Sequence, residues 1–240
     1  MNRILVLKHM SAQNPGIFRD FASEFGVKFY ELDLHAGDVI PNPENFDGLW
    51  VMGGSMNTSD EHEYPWLIDE KKIIRKAVCD LKIPFLGICL GHQLVADALG
   101  GEVGPAKNPE LGIFRIAPTA DGVGHPLIAD LPGEPGWVNA HFNEVLRPPK
   151  AATVLASSKN CANHVMALGE NAFSCQFHPE VCSHTVANWL KIPGIPETLN
   201  KSLGEAGYVR FQTSIAESLP KLAAAARSLF RNWTAHVYGR

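Results

Sequence analysis

A chain of 240 residues, 45% apolar and 19% charged, has the composition of an ordinary globular protein. At this length one or two domains bury roughly 70–75% of the surface that the unfolded chain exposes, so the fold needs no disulfide or metal to hold it. The net charge of −4 and the lack of any lysine or arginine run exclude the basic face of a nucleic-acid binder.

Small polar substrates or protein partners fit that balance better. Five cysteines, at 79, 89, 161, 175 and 182, form an odd set without disulfide spacing. No apolar run nears the ~20 residues of a membrane span, and the one following Met1 is too short for a secretory signal. The expectation is a reduced, cytoplasmic protein that contacts neither membrane nor nucleic acid.

In chain order, residues 4–7 form a continuous aliphatic run, as in a strand covered on both faces. After Pro15-Gly16 a helix-like stretch carries Ile17, Phe18, Phe21 and Phe25. Residues 27–32 and 49–52 read as further strands, the latter running into Gly53-Gly54. Pro65 marks a helix start, with Leu67, Ile68, Ile73, Ile74, Ala77, Val78 and Leu81 at helical spacing. Residues 84–88 are a fourth strand and 90–99 a helix closed by Gly100-Gly101. Strands alternating with helices predict βαβ units and a mainly parallel sheet. Short runs at 112–116, 137–139, 153–156, 164–167 and 173–177 then predict antiparallel edge strands and hairpins. Past Pro179 the chain turns helical, is broken by Pro193-Gly194-Ile195-Pro196, and ends in amphipathic helices. The expected division is a catalytic unit over residues 1–192 with a helical extension, 193–240, packed on it.

The most informative segment is Gly87-Ile88-Cys89-Leu90-Gly91-His92-Gln93, which follows a buried strand and opens a helix. That is the setting of a nucleophile elbow. So sharp a turn brings the residues two before and two after the nucleophile together, so both must be glycine. It also sets the Cys89 sulfur at a helix N-terminus, where the macrodipole favours thiolate. A cysteine at a strand end is ordinarily core filler, and the other four are read that way.

A thiol nucleophile needs a base. Phe177-His178-Pro179-Glu180 supplies His178 at the end of an apolar strand. Residues i and i+2 of an extended segment share a face, so Glu180 can orient the imidazole and leave its other nitrogen for Cys89. His178 could instead be a hydrogen-bonded strand-end histidine. A zinc site of Cys175, His178, Cys182 and His184 is disfavoured because 175 and 178 point to opposite faces of one strand, so no metal is expected. Gly53-Gly54 lets an N–H, that of Gly54, point at a developing oxyanion together with the Leu90 N–H. It lacks the Lys-Ser/Thr ending of a phosphate-binding loop.

These motifs together resemble those of the class I (triad) glutamine amidotransferases, and the wider pattern is similar to stand-alone chains like the amidotransferase domain of GMP synthase. Tyr64-Pro65-Trp66-Leu67, Ala98-Leu99-Gly100-Gly101, Glu110-Leu111-Gly112 and His141-Phe142-Asn143-Glu144-Val145 extend the resemblance over about residues 3–190. It implies a flavodoxin-like three-layer α/β/α sandwich with a mainly parallel central sheet. It also implies a cofactor-free amidohydrolase in which Cys89 attacks glutamine and passes ammonia to an acceptor on a separate synthetase partner. Gly53, Gln93 and the segment His141, Phe142 and Asn143 would then contact the substrate. Where the family usually reads His-Gly-Asp, this chain reads His141-Phe142-Asn143. Asn163-His164 stands for an Asn-Gln pair, and Ser55 for a frequent proline. Two other activities stay open: a γ-glutamyl peptidase or hydrolase with the same triad, and a catalytically silent regulatory subunit.

Overall fold

Alternation along the first strand sets the layers. The structure, a computed structural model, describes residues 1–129 and 136–239. Its first strand, β1 (Asn2–Lys8), is followed by α1 (Phe18–Ala22), β2 (Val27–Asp33), β3 (Gly48–Val51), α2 (Trp66–Arg75), β4 (Phe85–Ile88) and α3 (Leu90–Ala98). The chain continues through β5 (Glu102–Phe114), β6 (Ala117–Pro118), β7 (Trp137–Arg147), β8 (Ala152–Ser157), β9 (Val165–Leu168) and β10 (Ala172–Cys175). Two helices close it, α4 (Thr185–Trp189) and α5 (Ile195–Tyr238).

In β1, Ile4 and Val6 enter one apolar cluster while Leu5 and Leu7 enter another, and all four are buried. The first cluster packs α1 and α5 against the sheet, through Phe18, Leu229, Phe230 and Trp233 around Trp50. The rings of Phe18, Phe230 and Trp233 meet Trp50 edge-on at 5.3, 5.5 and 5.3 Å. The second cluster seats α2 and α3 through Leu67, Ile74, Leu94 and Val95. The result is a three-layer α/β/α sandwich. A sheet covered on both faces needs apolar residues on both, which is why β1, β3 and β4 read as unbroken aliphatic runs rather than alternating ones.

The eight-stranded sheet runs β2-β1-β3-β4-β10-β9-β8-β6. Its first five strands are parallel, and β9, β8 and β6 extend it through antiparallel pairings. β5 and β7 form a separate antiparallel ribbon with register shifts after Glu102 and between Pro105 and Glu110. The sequence predicts a strand only over 112–116, yet β5 begins at Glu102 and ends at Phe114. Pro105 and Pro109 mask it, because a two-stranded ribbon with an irregular register tolerates prolines that a central strand cannot.

The break expected at 193–196 falls between α4 and α5, and Pro196 also helps to open the second of them. It occupies the first turn of α5, after Gly194 at φ 83°. The tail is helical as the pattern predicts: the 44-residue span of α5 is two helices that meet at Gly204 (φ 68°, ψ 167°). Among the described residues no helix is long and apolar enough to cross a membrane.

Candidate active site

β3, β4 and β10 are neighbours and run parallel, so their carboxyl ends open at one edge of the sheet. The chain leaving β3 carries Gly53-Gly54, that leaving β4 carries Cys89, and that leaving β10 reaches His178. Such an edge is where ligands bind in open parallel sheets. β1, the next strand across, ends just before His9.

Cys89 sits at φ 54° and ψ −104°, in a region that costs a non-glycine residue about 1–3 kcal/mol. Three hydrogen bonds hold it there: Cys89 N–H to the Cys175 carbonyl at 2.8 Å, Gly91 N–H to Met52 at 3.1 Å, and Gln93 N–H to Cys89 at 3.1 Å. A Cβ on Gly87 would lie 2.6 Å from the Gly91 oxygen, and one on Gly91 would lie 2.1 Å from the Val51 oxygen. The first clash lies across the turn, as the sequence implies; the second is with the neighbouring strand. Both positions therefore require glycine.

His178 is buried, and its Nδ1–H donates to Glu180 Oε1 at 2.7 Å. Burial pushes the imidazole towards neutrality, but the Glu180 carboxylate and the neighbouring Cys89 outweigh it and raise its pKa to about 10. The arrangement favours the imidazolium form of His178. Gln176 Nε2 donates to the Cys89 sulfur at 3.6 Å, and the Trp189 ring meets the His178 ring edge-on at 4.7 Å.

The glycine loop packs on the start of α3: an added Cβ on Gly54 would lie 2.5 Å from Leu90 Cδ2. Leu90 opens α3, so its N–H has no partner within the helix. The glycine loop is held from behind by His9, whose Nδ1–H donates to the Gly53 carbonyl at 2.8 Å and whose Nε2–H donates to Glu70 at 2.9 Å. With an acceptor on each nitrogen the ring carries two protons. Burial lowers the His9 pKa, and the Glu70 charge and hydrogen bond reverse that and leave it raised. Trp66 stacks on the ring at 5.5 Å.

A cavity of about 250 Å³ opens over the sulfur, and Gly54, Cys89, Gln93, His141, Phe142, Asn143 and His178 all line it. Gly53, Leu90 and Glu180 stand behind these lining residues. A sulfur held at a strained turn, a buried imidazole and a carboxylate 2.7 Å from that imidazole are groups of the kind that acyl transfer from an amide uses.

A family model for glutamine amidotransferase class-I matches residues 18–190. The glutamine amidotransferase-like protein YfeJ of Salmonella typhimurium is 31% identical over 90% of this chain and 88% of its own length. The chain belongs to the class I glutamine amidotransferase family. A crystal structure of a glutamine amidotransferase from Thermotoga maritima superposes with a TM-score of 0.84 at 26% identity, covering 97% of this chain and 98% of that one. The glutamine-hydrolyzing GMP synthase subunit of Saccharolobus solfataricus is 38% identical over 66% of this chain and 81% of its own length. Gamma-glutamyl peptidase 3 of Arabidopsis thaliana is 29% identical over 69% of each chain.

Within this class I amidotransferase the residues expected at the substrate are partly engaged with one another. Gln93 Nε2 donates to the Asn143 carbonyl at 2.9 Å and to Gln176 Oε1 at 3.0 Å, bracing the elbow helix against β7. The Asn143 and Asn57 side chains hydrogen-bond across the cavity mouth. Phe142, where the family has glycine, is 40% exposed at the rim.

Cys175, His178, Cys182 and His184 do not gather round a common point. Among the described residues the group with metal-compatible spacing is Glu110, His141 and His164, whose ligand atoms lie within 4.8 Å of one another. There His164 Nε2 contacts Glu110 Oε2 at 2.8 Å and Ser158 donates to Oε1 at 2.6 Å. Burial raises the Glu110 pKa, and bonds from His141, His164 and Ser158 bring it down to about 2, so its charge is met by protein groups.

Sequence reasoning missed His9, Glu70, Gln13, Gln176 and the wall given by Trp189, Ile192, Ile195, Thr198, Leu199 and Phe211. Gln176 carried a signal, since it stands two residues before His178 as Glu180 stands two after. The rest carried none.

Proposed function

We propose that the chain hydrolyses the side-chain amide of glutamine, or of a γ-glutamyl compound, through Cys89. The Cys89 sulfur bonds to the amide carbonyl carbon while the Gly54 and Leu90 N–H groups donate to the oxyanion. His178 gives its proton to the departing nitrogen, the C–N bond breaks, and a γ-glutamyl thioester remains. His178, oriented by Glu180, then takes a proton from water, which attacks the thioester. Glutamate leaves and the sulfur is restored. The observation that carries this reading is the strained Cys89 at a helix N-terminus, sharing one cavity with a histidine whose Nδ1 meets a carboxylate at 2.7 Å. No cofactor takes part. Residues 193–240 serve as part of the same unit, because α5 lines the cavity at one end and enters the core at the other.

With glutamine as substrate the released ammonia serves an acceptor on a separate synthetase chain, a reading supported by the likeness to the glutamine-hydrolyzing subunit of GMP synthase. The γ-glutamyl hydrolase reading is supported by the apolar wall beside His178, which ammonia does not need. The test follows glutamate release from glutamine and from γ-glutamyl peptides, with Cys89→Ala as control. Release abolished by that substitution is expected. Absence of turnover, together with failure of a glutamine-analogue alkylator to label Cys89, leaves a silent regulatory role.

A further inference from the structure

The cavity has two chemically different ends. At one, Gln93, Asn143 and Asn57 are joined by hydrogen bonds and Ser55 stands beside them. This end follows the elbow helix, with Gln93 one turn beyond Cys89. At the other, past His178, the wall is Trp189, Ile192, Ile195, Leu199 and Phe211. No lysine, arginine, aspartate or glutamate lines either end among the described residues.

His178 is the group that protonates the departing nitrogen, so whatever that nitrogen carries must lie on the His178 side of the sulfur. We infer that the departing amine bears an uncharged apolar substituent, an alkyl or aryl group, and that Trp189 and the start of α5 form its subsite. This rests on the amidohydrolase reading above and names its substrate class: N-alkyl or N-aryl γ-glutamyl amides. A γ-glutamyl peptide puts a carboxylate on the amine, and burying that charge against unpaired aliphatic side chains is costly. Gln13 adds a polar anchor. Its Oε1 is buried with no hydrogen-bond partner among the described residues, beside Gly53 and the edge of the His178 ring. A secondary amide keeps one N–H, and Gln13 Oε1 is placed to accept it. In the acylation step the sulfur–carbon bond forms, the carbon–nitrogen bond breaks, and the amine leaves with the proton from His178.

The experiment compares kcat/KM of the full chain on three compounds: glutamine, γ-glutamylglycine and γ-glutamyl isopentylamide. Filling an apolar pocket yields ~10–200-fold discrimination, and an advantage of that size for the isopentylamide over both others is expected. Two variants act on the wall. Ile195→Asp should cut the isopentylamide-to-glutamine ratio about tenfold or more. Thr198→Arg, at an exposed position on the cavity wall, should raise γ-glutamylglycine relative to the isopentylamide. A ratio of one or below in the unmodified chain, with glutamine turned over, overturns the inference and leaves the amidohydrolase reading standing. Lack of turnover on all three, with Cys89 unlabelled by iodoacetamide, overturns both.

Discussion

His178 and His9 lie on either side of the Gly53-Gly54 turn, both buried, each within 3 Å of a carboxylate, and both with raised pKa values. Their second nitrogens differ. That of His178 meets the sulfur of Cys89, a partner that can give and take a proton. That of His9 is bound to the Gly53 carbonyl, which can only accept. The same ion pair thus serves as a proton-transfer device in one place and a clamp in the other, and the third partner decides which. The clamp also fixes the direction of the peptide that carries the Gly54 N–H.

Removing either histidine tests that contrast. His178→Gln should lower kcat by ~10²–10⁴-fold, the span of a general acid–base group, and slow alkylation of Cys89. His9→Gln should leave that alkylation unchanged while reducing kcat, since only the glycine loop is disturbed. Glu70→Gln strands a buried imidazolium and should cost about 3–5 kcal/mol of stability in urea unfolding, a larger effect than Glu180→Gln, whose histidine lines the cavity beside Cys89.

The pH dependence sharpens the comparison on the His178 side. Its folded pKa of about 10 lies above the ordinary 6.5, so the imidazolium stabilises the fold fully below 6.5 and that share is lost as pH rises towards 10. The Tm gap between the unmodified chain and His178→Gln should narrow over that interval. The smallest effect belongs to Trp189→Leu, which removes an edge-on ring contact worth ~0.5–1.5 kcal/mol and should be read as a modest shift in that pH midpoint.

The parallel half of the sheet was legible because a strand covered on both faces leaves an uninterrupted apolar run and glycines mark the turn that follows. The elbow and the His178–Glu180 pair were legible for a local reason: their partners lie within two or four residues, where backbone period and steric limits speak directly. His9 and Glu70 lie 61 residues apart, one just past a strand and one within a helix, and only the tertiary fold brings them together. The tail read as amphipathic through Ile215, Leu219, Leu222, Leu229, Phe230 and Trp233, while the wall from Ile195 to Phe211 lies upstream of them and gave no sign of what it covers. β5 was obscured by its prolines, whereas Gln176 was overlooked although its spacing from His178 matches that of Glu180.

The break at Gly204 gives α5 an uneven evolutionary freedom. Downstream of it, Phe230 and Trp233 are wedged among the rings around Trp50, where each large-to-small change would cost about 3–5 kcal/mol. Upstream, Ile195 is only partly covered and Thr198 is exposed, both on the cavity wall. Substitutions there can accumulate without unseating the helix, so a lineage could exchange one departing group for another while the chemistry at the sheet edge stays as it is.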